Sequence, residues 1–181
     1  MSRFALALAC ALLASVAAQA GDVAEPDDYR SEDYRAPTPP SLKGARVLTT
    51  SEAEALWKGG DAVFIDVMPR PPRPANLAPG TIWRDRPRSN IPGSIWLPDT
   101  GYGALAAVTE AYLRDNLARA AAGNQTKLLV FYCLKDCWMS WNAAKRALAM
   151  GYTNVAWYPD GTDGWAGADL PLEAATPMRA E

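Results

Sequence analysis

From Arg46 onward, short apolar runs alternate with stretches of helical spacing. Val47-Leu48 reads as a brief strand. Ser51-Glu52-Ala53-Glu54 then reads as a capping box, in which a serine hydroxyl and a glutamate three residues on satisfy free backbone N–H groups at a helix start. Gly59-Gly60 stops that helix, and Ala62-Val63-Phe64-Ile65 is a continuous apolar run of the kind buried on both faces of a parallel sheet, ending at Asp66. Ile91-Pro92-Gly93-Ser94 sets a turn ahead of a short strand, Ile95-Trp96-Leu97. Helical spacing follows from about Ala104 to Ala122, with Leu105, Val108, Tyr112, Leu113 and Leu117 on one stripe and Gly123 as the stop. Lys127 to Tyr132 is a second buried strand, Trp138 to Met150 a helix closed by Gly151, and Asn154 to Tyr158 a last strand. Strands alternating with helices predict an α/β fold with a parallel sheet.

Three segments fall outside this rhythm. The first twenty residues have a positive start at Arg3, an apolar run from Phe4 to Val16 and a small-x-small signal at Ala18-Gln19-Ala20. That is the pattern of a cleaved signal peptide, with Gly21 as the mature start; the run is well short of the roughly 20 apolar residues a spanning helix needs. Residues 21–45 are acidic and then proline-rich, with Asp27-Asp28-Tyr29-Arg30 echoed by Glu32-Asp33-Tyr34-Arg35, and read as an extended lead-in whose tyrosines pin it to the domain. Residues 68–90 carry six prolines between Pro69 and Pro87, which exclude a regular helix or central strand, together with Arg70, Arg73, Arg84, Arg86 and Arg88. Such a loop could attract an anionic partner, but charge runs are more often solvated, so these arginines are expected to pair with surface carboxylates. The regular part closes near residue 172 and leaves 173–181 as a tail.

Composition narrows the chemistry. A chain of 181 residues fits one domain. Removing the leader takes away one cation, so 17 Lys plus Arg oppose 20 Asp plus Glu and the mature charge is −3, which suggests no nucleic-acid partner. With no histidine, Ser-His and Cys-His pairs are excluded, and two mature cysteines do not make a zinc site. Export places the chain in the periplasm, where disulfides persist, and Cys133 and Cys137 are then each other's only partners within the chain.

Cys133 directly follows a buried strand, at the carboxyl end where ligands bind in open parallel sheets. The helix starting near Trp138 aims its free N–H groups at the loop Cys133-Leu134-Lys135-Asp136-Cys137-Trp138, and Lys135 adds a cation; both favour a thiolate. Asp136 opposes this as a nearby anion, and its expected role is N-cap of the helix. Cys137, four residues on, is either a resolving partner or half of a structural disulfide; a bridge over so short a loop stabilises little, which favours chemistry. Trp138 is placed to wall the cysteine pocket, and Trp141 to pack the helix on the sheet.

These residues resemble a rhodanese-like domain over about 46–172. Val63-Phe64-Ile65-Asp66-Val67 is similar to that family's first central strand with its structural aspartate, Asp66, and Ile91-Pro92-Gly93-Ser94-Ile95 to its I-P-G-A/S-I turn. Leu129 to Cys133 is similar to the strand bearing the nucleophilic cysteine, and Gly161-Thr162-Asp163-Gly164-Trp165 to the closing G-x-x-G-W segment. The resemblance implies a doubly wound parallel sheet with helices on both faces, and a Cys133 that carries sulfane sulfur as a persulfide. Cys137 would then be catalytic beside it, with Leu134, Lys135, Asp136 and Trp138 surrounding the substrate.

The family's loop reads C-R-x-G-x-R; here Leu134, Asp136 and Trp138 replace both arginines and the glycine, which argues against thiosulfate as substrate, and Asn90 stands where many relatives have histidine. Cys137-Trp138 followed by Met139 to Arg146, behind an exported amino terminus, is similar to the PQQ-dependent catabolism-associated CXXCW motif proteins. That likeness implies work beside periplasmic, quinone-dependent alcohol oxidation. The expected partner is a small sulfur or thiol compound, or a periplasmic protein of that system; no cofactor and no metal is expected. The other function class is a non-catalytic accessory module, with Cys133 and Cys137 in a permanent disulfide and the Arg70 to Arg88 loop on a partner.

Overall fold

The computed structural model describes residues 23–84 and 86–179, so the leader and its cleavage point lie outside the described residues. In chain order the elements are β1 (Ala45–Val47), α1 (Thr50–Gly59), β2 (Val63–Asp66), β3 (Arg88–Asn90), β4 (Ile95–Trp96), α2 (Ala107–Ala120), β5 (Leu129–Tyr132), α3 (Trp138–Ala149), β6 (Val155–Tyr158), α4 (Gly161–Gly167) and β7 (Glu173–Ala175). Five strands form one sheet in the order β1-β6-β5-β2-β4, every pair parallel. The chain moves from β2 outward to β4, then returns to the other side of β2 with β5, so the order reverses between β2 and β5. Ligand crevices open at such a reversal, outside the carboxyl ends of the strands. Here those ends are the register partners Asp66 and Tyr132, and Cys133 comes next.

Successive strand residues point to opposite faces, and both faces are covered. On one, Ile65, Phe131 and Trp157 pack against Leu113 and Leu117 of α2 and Trp141 and Ala144 of α3. On the other, Phe64, Tyr132 and Tyr158 pack against Ala53 of α1 and Trp165 of α4. The expected doubly wound sheet with helices on both faces is what forms. Among the described residues, no helix is long and apolar enough to cross a membrane.

Local boundaries differ from the sequence reading for physical reasons. The capping box at α1 is Thr49 with Glu52, two residues before the expected Ser51 with Glu54. Both pairs fit the pattern, but the Leu48 N–H is still bonded to Trp157 O, so the chain turns immediately after it and Thr49 becomes the cap. Glu52 Oε2 accepts the Thr49 N–H at 2.8 Å, and Glu54 is left to pair with Lys58 at 2.6 Å. Thr49→Ala is expected to cost about 1 kcal/mol, read as a lower urea midpoint at unchanged slope. Helix α2 starts at Ala107 without a side-chain cap, and Val108, expected in its apolar stripe, is 73% exposed. Two short elements were not expected: α4, and the antiparallel ribbon of β3 with β7, which lies within the segment read as a tail.

Candidate functional site

Asp66 ends β2 with its side chain fully buried, accepting the Arg88 Nε–H at 2.7 Å and the Met68 N–H at 2.9 Å. Burial pushes its carboxyl above the ordinary range, and the Arg88 guanidinium opposes that rise. Beside it Tyr132 donates to Ser94 Oγ at 2.8 Å and accepts the Ile91 N–H at 3.0 Å; burial holds its hydroxyl pKa well above the usual phenol value. Arg70 meets the expectation of a surface pair, binding Asp99 at 2.9 Å. Arg88 does not, because its partner is buried and it reaches on to the cysteine loop: Nη2 lies 3.4 Å from Cys133 O. Asn90, two residues along β3, is buried with its Nδ2 unpartnered.

The Cys133 carbonyl is the anchor of the loop. It accepts the Thr162 N–H at 3.0 Å and Thr162 Oγ1 at 3.3 Å, besides Arg88. Leu134 bridges to Gly161, and the Lys135 N–H donates to Asp163 Oδ2 at 3.1 Å. Gly161 makes this contact feasible: its φ is +51°, and a Cβ there would stand 2.5 Å from Cys133 O. The G-x-x-G-W segment therefore grips the loop that carries the cysteines. Thr162 and Asp163 were named in that segment only as family signature; nothing in the sequence marks them as loop anchors.

Cys133 and Cys137 are joined as a disulfide with Cα atoms 6.5 Å apart. Both are buried, Cys133 completely. The Leu134 and Cys137 carbonyl oxygens lie 3.7 Å from the Cys133 sulfur. Asp136 is exposed and left-handed, φ +51°, at the position of the family loop's glycine. It is not the N-cap of α3; that place belongs to Cys137, which makes no side-chain capping bond. The first free N–H of the helix, that of Trp138, is satisfied by Tyr34 O at 2.9 Å.

That carbonyl belongs to the lead-in, which runs along α3 as an ordered arm. Residues 138, 141, 142, 145 and 146 recur at three and four positions and so share one helix face. Trp138 Nε1 donates to Pro37 O at 3.1 Å, Trp141 Nε1 to Ser41 O at 3.0 Å, and Lys145 Nζ to Pro26 O at 2.9 Å. Asn142 binds both the N–H and the C=O of Arg30, at 2.9 and 2.8 Å, and also Gly101 O at 2.9 Å. The Arg30 guanidinium carbon lies 5.3 Å from the Trp138 ring centre, and that of Arg146 lies 4.1 Å from Tyr29. The tyrosines pin the arm as expected: the Tyr34 hydroxyl accepts the Gly103 N–H at 3.0 Å and its ring meets Tyr102 edge-on. Trp138 is thus 2% exposed beneath the arm and does not wall an open pocket. Cavities of about 220, 430 and 360 Å³ lie along the Arg70 loop and the arm, and neither cysteine lines any of the three.

Asn142→Ala would strip three backbone groups of their partner, a cost of roughly 1–3 kcal/mol. The arm should loosen first. The expected result is faster opening of the Cys133–Cys137 bridge by a phosphine reductant, followed as free-thiol release.

The family pattern of the rhodanese-like domain matches residues 49–168. No curated protein matches the chain. Among solved structures, a thiosulfate sulfurtransferase from Pseudomonas aeruginosa superposes with a TM-score of 0.50 at 23% identity, over 75% of this chain and 21% of its own. An anaerobic ergothioneine biosynthesis enzyme from Chlorobium limicola, solved with trimethyl histidine, gives 0.51 at 21% identity, over 77% and 34%. The chain spans only about a fifth and a third of these two proteins, so the likeness is one of fold. With the doubly wound sheet and the cysteine loop at the end of β5 in place, the chain belongs to the rhodanese-like domain family.

Proposed function

We propose that this is an exported, periplasmic rhodanese-like protein whose Cys133–Cys137 pair handles sulfane sulfur by thiol-redox chemistry. The observation that carries the reading is the place of the pair: Cys133 directly follows β5 at the reversal of strand order, with Cys137 within bonding distance of it. The reduced Cys133 sulfur attacks the outer sulfur of a persulfide or polysulfide donor, the donor's S–S bond breaks, and the donor leaves as a thiol or shortened polysulfide, giving Cys133–S–SH. The Cys137 thiolate attacks the inner sulfur, the S–S bond to the outer sulfur breaks, and hydrosulfide leaves as the Cys133–Cys137 bond forms. Two thiols of an external dithiol reset the pair and are themselves oxidised to a disulfide. Leu134 and Trp138, in place of the family loop's arginines, turn the site away from thiosulfate and toward a less charged sulfur carrier or a protein thiol. Cys137-Trp138 with the run to Arg146, together with the apolar leader, supports membership of the PQQ-dependent catabolism-associated CXXCW group and service beside quinone-dependent alcohol oxidation.

One observation favours a second reading. Both sulfurs are shut away from solvent, which suits a permanent bridge in an accessory module. The two readings part on the native protein purified without reductant. Under the proposal a mild dithiol releases two thiols per chain from the folded protein. A bridge that opens only on unfolding would leave the accessory reading.

A further inference from the structure

The connection from Val67 to Pro87 is far longer than the 2–6 residues usual between elements of an α/β domain, and connections of that length without regular structure are commonly functional. It is clamped at both ends, by Arg70 on Asp99 and by Arg88 on Asp66. Two hollows flank the Arg70–Asp99 pair and share both residues. One, of about 360 Å³, is lined by Pro72, Arg73, Trp83 and Tyr102. The other, of about 220 Å³, is lined by Val108, Tyr112 and Met178. Together they form one groove with an ion pair at its waist. Of the four exposed large apolar side chains among the described residues, Tyr102 and Val108 line this groove and Ile82 adjoins Trp83.

Charge separates in the same place. The connection holds four arginines and one aspartate, a net of +3, while the remaining 14 cations and 19 anions leave the rest of the chain at −5. Arg73, Arg84 and Arg86 are exposed, and the Arg70 side chain is 49% exposed despite its partner. Arginine and aromatic side chains around apolar hollows are the composition of protein interfaces, and exposed apolar groups gathered at one place mark such sites.

We propose that this groove docks an extended segment of a partner protein in which carboxylates alternate with aliphatic side chains. The aliphatic groups enter the two hollows, and the carboxylates face Arg73, Arg84 and the open side of Arg70. This reading stands apart from the cysteine chemistry, since neither cysteine lines the groove.

The test uses fluorescein-labelled peptides of about ten residues, read by anisotropy, with the Trp83 indole resonance as a local reporter. A peptide of alternating aspartate and leucine should bind at least about tenfold tighter than lysine–leucine or aspartate–serine controls, and weaken severalfold as salt is raised, since exposed charges are screened. Arg73→Glu with Arg84→Glu should weaken it about tenfold, as should Val108→Asp, with far-UV circular dichroism unchanged in each. Binding that is absent, equal for the controls or indifferent to these variants overturns the proposal. So does a dimer of the protein that Val108→Asp dissociates, because the occupant would then be a second copy.

Discussion

Arg88→Ala is expected to destabilise the protein by about 3–5 kcal/mol, the cost of leaving a buried carboxylate without its cation. Asp66 is fully buried, Arg88 is its ion-pair partner, and among the described residues only the Met68 N–H would remain on the carboxylate. The sign of the pH dependence follows from the burial. In the folded protein burial already raises Asp66 above its ordinary 3.8, and loss of the guanidinium removes the attraction that opposes this. A folded carboxylate with a raised pKa binds its proton better than the unfolded chain does, so stability falls as pH rises from the unfolded value through the folded one. The cost of Arg88→Ala, measured against the unmodified protein at each pH by urea unfolding, should therefore be smaller under acid conditions than near neutrality. Asp66→Asn combined with Arg88→Ala should recover part of the loss, a coupling that independent residues would not show.

The other large effect concerns the cysteines. With an alkyl persulfide as donor, whose own leaving group is a thiol, the reduced protein should release hydrosulfide as the bridge closes. Cys133→Ser should abolish this release, because the first acceptor of sulfur is gone. Cys137→Ser should abolish it too, for a different reason: sulfur is taken up but nothing expels it. An equal loss of release from two variants of opposite sulfur content is the signature of an acceptor and a resolving thiol.

The sheet was legible because buried parallel strands are written as unbroken apolar runs, such as Phe64-Ile65 and Leu129 to Tyr132. Helix α3 was legible through its spacing and Gly151. What stayed hidden depends on contacts that leave no local pattern. Helix α4 spans Gly161 to Gly167 with a third glycine at Gly164, a poor helix former held by Trp165 in the core. The β3–β7 ribbon pairs Ser89 with Ala174 and Asn90 with Glu173, too short and polar to read as strand. The arm's bonds to α3 fall largely on backbone carbonyls, those of Arg30, Pro37 and Ser41 among them, and a carbonyl is the same in every residue. Likewise the arginines of the proline-rich loop look alike in sequence, and among the described residues only Arg88 meets a buried carboxylate.

In the site, the sequence located both cysteines at the right end of β5 but misread the neighbours. Asp136 was expected to cap α3 and instead takes the left-handed turn, while Tyr34, from a segment a hundred residues away in sequence, supplies the carbonyl that satisfies the first N–H of the helix. The result is a buried cysteine loop with the arm bonded to the start of α3 on one side and Thr162 and Asp163 gripping it on the other. Thiol exchange at so buried a pair requires local opening.

The most direct measurement is the intact mass of the reduced protein, Cys133→Ser and Cys137→Ser after incubation with inorganic polysulfide and removal of the excess. The account predicts a disulfide without added sulfur in the unmodified protein, one or more added sulfur atoms on Cys133 in Cys137→Ser, and none in Cys133→Ser. Equal sulfur loading of both variants, or none in either, would contradict it.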